Sequence, residues 1–236
     1  MEGSRTPLHK WAVAIRLISR TDVGTTAVEL QAVIQVSYKT AWLMLHRVRQ
    51  ALSQAEQSDP LSGTVKSIMK YYTDPFYATY DASLLKSPVI IAAGVDAHNT
   101  PLQFKFKHIP ADQIIRTNHV RSWGVSAFIS QYVQPDAEFH PIATPIHHKR
   151  TPLILNEYRK SRRWLNTTFH GIGPKYIQAY LHEYAFRINH ALRGEPIEHH
   201  MLSACARYAK LPLDHCSPQQ EYMKYVPTRE QYFKIA

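Results

Sequence analysis

Several groups of side chains in this sequence come at spacings that could do chemistry. The densest is Tyr38, Lys39, Thr40, Trp42, His46, Arg47 and Arg49, which follows Ser37. Ser37 is suited to cap a helix whose apolar stripe is Ala41, Leu45, Val48 and Leu52. Tyr38, Lys39, Trp42, His46 and Arg49 then fall on the side expected to face solvent. A helix of that kind can set its first residues against base edges in a major groove and its arginines on phosphates. Two basic runs, His147-His148-Lys149-Arg150 and Arg159-Lys160 with Arg162-Arg163, offer further charge to phosphates, or form solvated faces. His199, His200, Cys205, His215 and Cys216 are zinc-competent types, but their spacing matches no familiar site and reads as a surface cluster, so no metal ligands are assigned. Acids are sparse: none occurs between Asp59 and Asp74, and Glu157 stands one helical turn before Lys160.

The elements that must position these groups follow from periodicity. Trp11, Ala14, Ile15 and Ile18 define an amphipathic helix over 8–20. Thr26 with Glu29 is a capping-box signature for a second helix, which breaks at Gln35-Val36-Ser37. Two helices joined by a three-residue turn make a helix-turn-helix pattern, although Gln35 stands where such turns often hold glycine. The polar stretch 53–60 reads as a linker closed by Pro60. Strand character follows at 63–72, 88–97 and 102–109. The run Val89-Ile90-Ile91 suits a strand buried on both faces, and the turn residues Asp96 to Thr100 predict a hairpin. A helix over 111–132, interrupted near Trp123-Gly124, a short strand at 138–143, and helices over 152–165 and 174–192 complete the pattern. Pro174 starts the last of these and Gly194 stops it.

The chain has 236 residues, 44% of them hydrophobic, enough for one sizeable core and a small satellite domain. Its net charge of +10 biases partners toward polyanions. No apolar stretch is long enough to span a bilayer, no signal-peptide core is present, and two cysteines cannot make a disulfide framework, so the cytoplasm is the default location.

Three ordered blocks resemble one family. The first runs from Gly3-Ser4-Arg5 and Pro7-Leu8-His9-Lys10-Trp11 to Val36-Ser37-Tyr38-Lys39-Thr40-Ala41-Trp42 and Met44-Leu45-His46-Arg47-Val48-Arg49. The second is Leu61-Ser62-Gly63-Thr64-Val65. The third is Trp164-Leu165, Phe169-His170-Gly171-Ile172-Gly173-Pro174-Lys175-Tyr176 and Tyr180-Leu181-His182-Glu183-Tyr184-Ala185-Phe186-Arg187-Ile188-Asn189, with an echo at Met201-Leu202-Ser203-Ala204-Cys205. Together they resemble bacterial insertion-sequence transposases that carry a zinc ribbon, a helix-turn-helix and an RNase H-like catalytic domain. The fold class implied is α/β: an N-terminal helix-turn-helix (1–52), a linker (53–60), an RNase H-like mixed-sheet core (61–194) and a C-terminal tail (195–236).

The resemblance implies DNA cleavage and strand transfer by Mg²⁺ or Mn²⁺ held on two aspartates and an asparagine or glutamate. It implies double-stranded DNA at transposon ends as partner, leaves homo-oligomerisation open, and involves no membrane. The first aspartate position falls on Ile68, flanked on its strand face by Lys66 and Lys70. Asp74 has the right parity but lies roughly 20 Å farther along an extended strand. The second position falls on Ile142; Asp136 lies toward the loop and Glu138 roughly 13 Å away. The third falls on Lys160, with Arg162 in place of the family's phosphate-positioning lysine and Glu157 as the best surviving acid. The family's ribbon would precede Gly3 and is expected to be missing. The expectation is a DNA-binding transposase-like protein, truncated and catalytically impaired, or alternatively a DNA-binding regulator or transposition inhibitor without catalysis.

Overall fold

The computed structural model describes residues 5–20, 23–73, 86–116, 119–140, 142 and 151–208. Among them the elements run α1 (Leu8–Ile18), α2 (Ala27–Ile34), α3 (Tyr38–Gln57), β1 (Thr64–Thr73), β2 (Lys86–Val95), β3 (Pro101–His108), β4 (Ile114–Arg116), β5 (His119–Val120), α4 (Ser122–Tyr132), β6 (Glu138–Phe139), α5 (Pro152–Phe169), α6 (Pro174–Leu192) and α7 (Ile197–Tyr208). The architecture is mixed α/β.

The predicted caps form. The Thr26 hydroxyl accepts from Glu29 N at 3.1 Å and the Ser37 hydroxyl from Thr40 N at 3.2 Å. Gln35 ends α2 in the left-handed region at φ 50°, a conformation that costs a side chain what it would not cost glycine. The apolar faces of α1, α2 and α3 meet around Trp11, Ile15, Leu30, Leu45 and Leu52.

The four-stranded sheet has the order β3-β2-β1-β6. The hairpin between β2 and β3 forms where its turn residues predict, with both pairings of β2 antiparallel, while β6 lies parallel to β1. Alternation splits the sheet's side chains between two cores. Ile68, Val89, Ile91, Phe104 and Phe106 pack beneath α5 and α6. Val65, Ile90 and Ala92 pack on the other side with Phe128 and Tyr132 of α4.

Three stretches differ from the sequence reading. Residues 53–57 are the last turn of α3, not linker, because Glu56 is needed inside: its carboxylate meets Lys105 of β3 at 2.8 Å, both side chains being buried. Residues 111–116 and 119–120 are not the start of a helix. A 3-10 turn (Ala111–Gln113) and the β4–β5 hairpin fold over the first turn of α4, which Gly124 permits, since a Cβ there would stand 2.9 Å from Val120 and Gln113. Residues 197–208 of the expected tail form α7. Its Ile197, Met201, Ala204 and Cys205, at helical spacing, join the core of the N-terminal helices.

The outer strand β3 would expose a row of unpaired backbone groups. Helix α6 covers that edge with two side-chain amides. Asn189 accepts from Phe104 N (2.7 Å) and donates to Phe104 O (3.0 Å); Gln178 accepts from His108 N (2.7 Å) and donates to Phe106 O (2.9 Å). The two residues are about three helical turns apart, so one helix face serves both. Asn189→Ala leaves the buried Phe104 pair unmet and is expected to cost about 2–3 kcal/mol. In urea unfolding the midpoint should fall with the slope unchanged; an unmoved midpoint would show that the amide is dispensable.

Candidate functional site

The residues expected to touch DNA divide into two sets along α3. Tyr38 and Lys39, in the first turn behind the Ser37 cap, are exposed, and Thr40 and Arg47 are partly so. Trp42 and His46 instead pack toward α6. The Trp42 and His46 rings lie 3.8 Å apart, and Tyr176 is 5.6 Å from Trp42 and 5.1 Å from His46. Burial, with Arg49 nearby, pushes the His46 imidazole down to about 3, so at neutral pH it carries no charge for a phosphate.

Arg49 is a correction: it does not face solvent. Its side chain is 2% exposed. Its Nε donates to Glu183 at 2.6 Å, and its guanidinium lies 4.0 Å from the Tyr180 ring centroid. The same Glu183 accepts from Arg187 Nη2 at 2.8 Å, and Arg187 donates in turn to the carbonyls of Ile18 and Arg20 at the end of α1. These charges bind helices to one another, and none is available to a nucleic acid.

The basic run on α5 stays outside. Its inner face is Ile154, Tyr158, Ser161 and Leu165, so Arg159, Lys160, Arg162 and Arg163 are exposed. Lys160 pairs with Glu157 at 3.3 Å; among the described residues no acid pairs with Arg159, Arg162 or Arg163. Lys70 of β1 adjoins this run: partial burial, and then Arg159 beside it, hold its ammonium below the usual lysine range. The run at His147 to Arg150 lies outside the described residues.

The three positions carried over for a metal triad do not make a metal site. Ile68 is fully buried in the core beneath α5, and Ile142 packs against the core on the opposite side of the sheet. Lys160 presents an ammonium, which has no lone pair to give a cation. Glu157 is buried and held by the Tyr184 hydroxyl and by Lys160. Its neighbour Tyr72 shares a hydrogen bond with Ser161 at 2.5 Å, and among the described residues no cluster groups Glu157 with further metal-binding side chains. Asp136 and Glu138 are exposed, Glu138 lying 3.7 Å from His140. Asp74 lies outside the described residues.

Cys205 is buried among the helices, its thiol pushed up to about 12 by burial. His215 and Cys216 lie outside the described residues. The group that sequence reasoning missed is His190, Glu195 and His200, whose ligand atoms all lie within 4.8 Å of one another. Its signal was the five-residue spacing His190, Glu195, His200 around the stop glycine Gly194. Among the described residues no helix is long and apolar enough to cross a membrane. The chain matches no protein-family model, no curated protein and no solved structure.

Proposed function

We propose that this chain is an insertion-sequence transposase-like protein that binds double-stranded DNA and does not cut it. The observation that carries the loss of chemistry is Ile68, a fully buried hydrocarbon on the central strand where the resemblance puts the first metal-binding aspartate. The divalent ion of that family does not fit the residues at the three positions, two hydrocarbons and an ammonium. Support for the architecture comes from the order of elements: capped α2 and α3, an antiparallel three-strand unit, a helix, a strand parallel to β1, then helices. That order suits a helix-turn-helix followed by an RNase H-like sheet.

The DNA-facing surface in this reading is narrower than the sequence implies. It comprises Tyr38 and Lys39 at the front of α3, where a recognition helix reads bases, flanked by Arg47. The exposed Arg159, Arg162 and Arg163, which pair with no acid among the described residues, supply phosphate contacts.

Binding of duplex DNA by purified protein should weaken steeply with salt, and Arg162→Glu/Arg163→Glu should lower the log–log salt slope by about 2. Lys39→Ala should weaken binding to the specific duplex more than to nonspecific duplexes. No Mg²⁺- or Mn²⁺-dependent nicking or strand transfer is expected. Clean strand transfer by purified protein, abolished in Glu157→Gln, would overturn the proposal in favour of a working transposase. Protection of inverted-repeat DNA without cleavage would assign it a regulatory role.

A further inference from the structure

We infer that His190, Glu195 and His200 form a binding site for one divalent transition-metal ion of the zinc class, at the turn between α6 and α7. The site stands on backbone geometry first. Gly194 takes the left-handed conformation at φ 68°. Gly194 N then bonds Ala191 O (3.1 Å), and Glu195 N bonds His190 O (2.9 Å). These are the two bonds of a Schellman motif, in which the residues at the places of His190 and Glu195 ordinarily make an apolar contact. Here the contact is between an imidazole and a carboxylate. Glu195 is followed by Pro196 and the first turn of α7, which brings His200 over the same carboxylate.

The side chains converge on one atom. Glu195 Oε2 lies 2.5 Å from His190 Nδ1 and 3.7 Å from His200 Nε2, and the two imidazole rings stack at 4.4 Å. Metal–ligand bonds of about 2.0–2.2 Å place tetrahedral ligand atoms roughly 3.3–3.5 Å apart. One of the two spacings here must open by less than about 1 Å and the other close by less, which side-chain torsions supply. The contact from Glu195 to His200 is too long for a hydrogen bond, so hydrogen bonding alone does not account for both histidines facing that oxygen. Two imidazoles and one carboxylate suit zinc, cobalt or nickel, whereas magnesium and calcium take oxygen sets. Three protein ligands leave the fourth position to water.

The carboxylate of Glu195 supplies the negative charge that a divalent ion bound by two imidazoles requires. Arg193, two residues before Glu195, is paired with Asp59 at 2.7 Å. The ion would tie α7, whose apolar face completes the N-terminal helical core, to the end of α6.

The test uses the full chain stripped with chelator and titrated with Zn²⁺ against a colorimetric indicator, and separately with Co²⁺ followed by its visible absorption. The expected result is one equivalent bound, a rise in Tm with Zn²⁺, and no competition from millimolar Mg²⁺. Glu195→Gln and His200→Asn should each weaken binding at least about tenfold and abolish the Tm rise. Glu195 is partly exposed, so its variant keeps the readout interpretable should a histidine variant fold poorly. Absence of stoichiometric binding, or equal binding by wild type and both variants, overturns the site; the second outcome would place the ion on other histidines.

Discussion

Glu183→Ala should destabilise the protein by about 3–5 kcal/mol, the cost typical of removing one partner from a buried ion pair. The Glu183 side chain has no exposure, and it faces two guanidinium groups that are themselves 2% and 7% exposed. Removing the carboxylate leaves both cations in the interior. One of them, Arg49, also donates to Thr25 O at 3.3 Å and lies over Tyr180, and the other closes the end of α1. The same residue therefore joins α1, α3 and α6, that is, the N-terminal helices and the sheet's covering helix. Unfolding in urea, followed by tryptophan fluorescence and by circular dichroism, should show a lower midpoint. The two probes should also separate, as the helical N-terminal part loosens before the sheet. Glu183→Gln should recover little, because it keeps the shape and loses the charge. A loss below about 1 kcal/mol would mean that the arginines find water or other acceptors, and that the cluster is not the joint between the two layers.

Much of the element pattern was legible because it depends on neighbours in sequence. The stripe Trp11, Ala14, Ile15, Ile18, the caps Thr26 and Ser37, the run Val89-Ile90-Ile91 and the stop at Gly194 each encode a local geometry, and each is where periodicity places it. Arg49 shows where such reasoning ends. It sits roughly 80° around the helix from Ala41, at the margin of the apolar stripe, where a charge normally faces water. Only Glu183, 134 positions away, makes the margin an interior. Glu56 and Lys105 repeat the case: a polar octet that reads as linker carries a carboxylate that a buried lysine requires.

The third block of the resemblance was legible as a pattern and opaque as to purpose. Its Glu183, Arg187 and Asn189 serve the joint between helices and the cover on the β3 edge. Spacing alone shows that Gln178 and Asn189 share a helix face; it cannot show that an unpaired strand edge lies beneath. The same limit hid the cluster at the α6–α7 turn, since His190 looks like one more residue of an amphipathic helix until the turn folds Glu195 and His200 back on it. The reading of the expected catalytic positions rests on the sequence itself, in which no acid stands between Asp59 and Asp74.

Acid should unfold this protein well above the pH at which its carboxylates are protonated, and His46 and His182 are the reason. Both are held at about 3 in the folded state, by burial first, with Arg49 adding to the shift at His46 and Lys105 and Lys107 at His182. Gln178 fixes the neutral form of His182: β3 pins the Gln178 amide, so Gln178 Nε2 must donate to His182 Nε2, at 2.8 Å. That nitrogen is then an acceptor and has no place for a second proton. Once unfolded, each imidazole titrates at its ordinary value of 6.5. Between about 3 and 6.5 the unfolded chain thus binds more protons than the folded one, and stability falls as pH falls through that window. The contribution is complete above 6.5. At pH 4 the loss is on the order of 3 kcal/mol per histidine, less for the partly exposed His46. His46→Phe keeps an aromatic ring against Trp42 and Tyr176 and sacrifices no hydrogen bond of Nε2, which has none. Its stability at pH 7.5 should therefore stay near wild type, while its loss between pH 7 and pH 4.5 should shrink. Equal acid sensitivity in the two proteins would show that His46 is not among the groups that take up protons on unfolding.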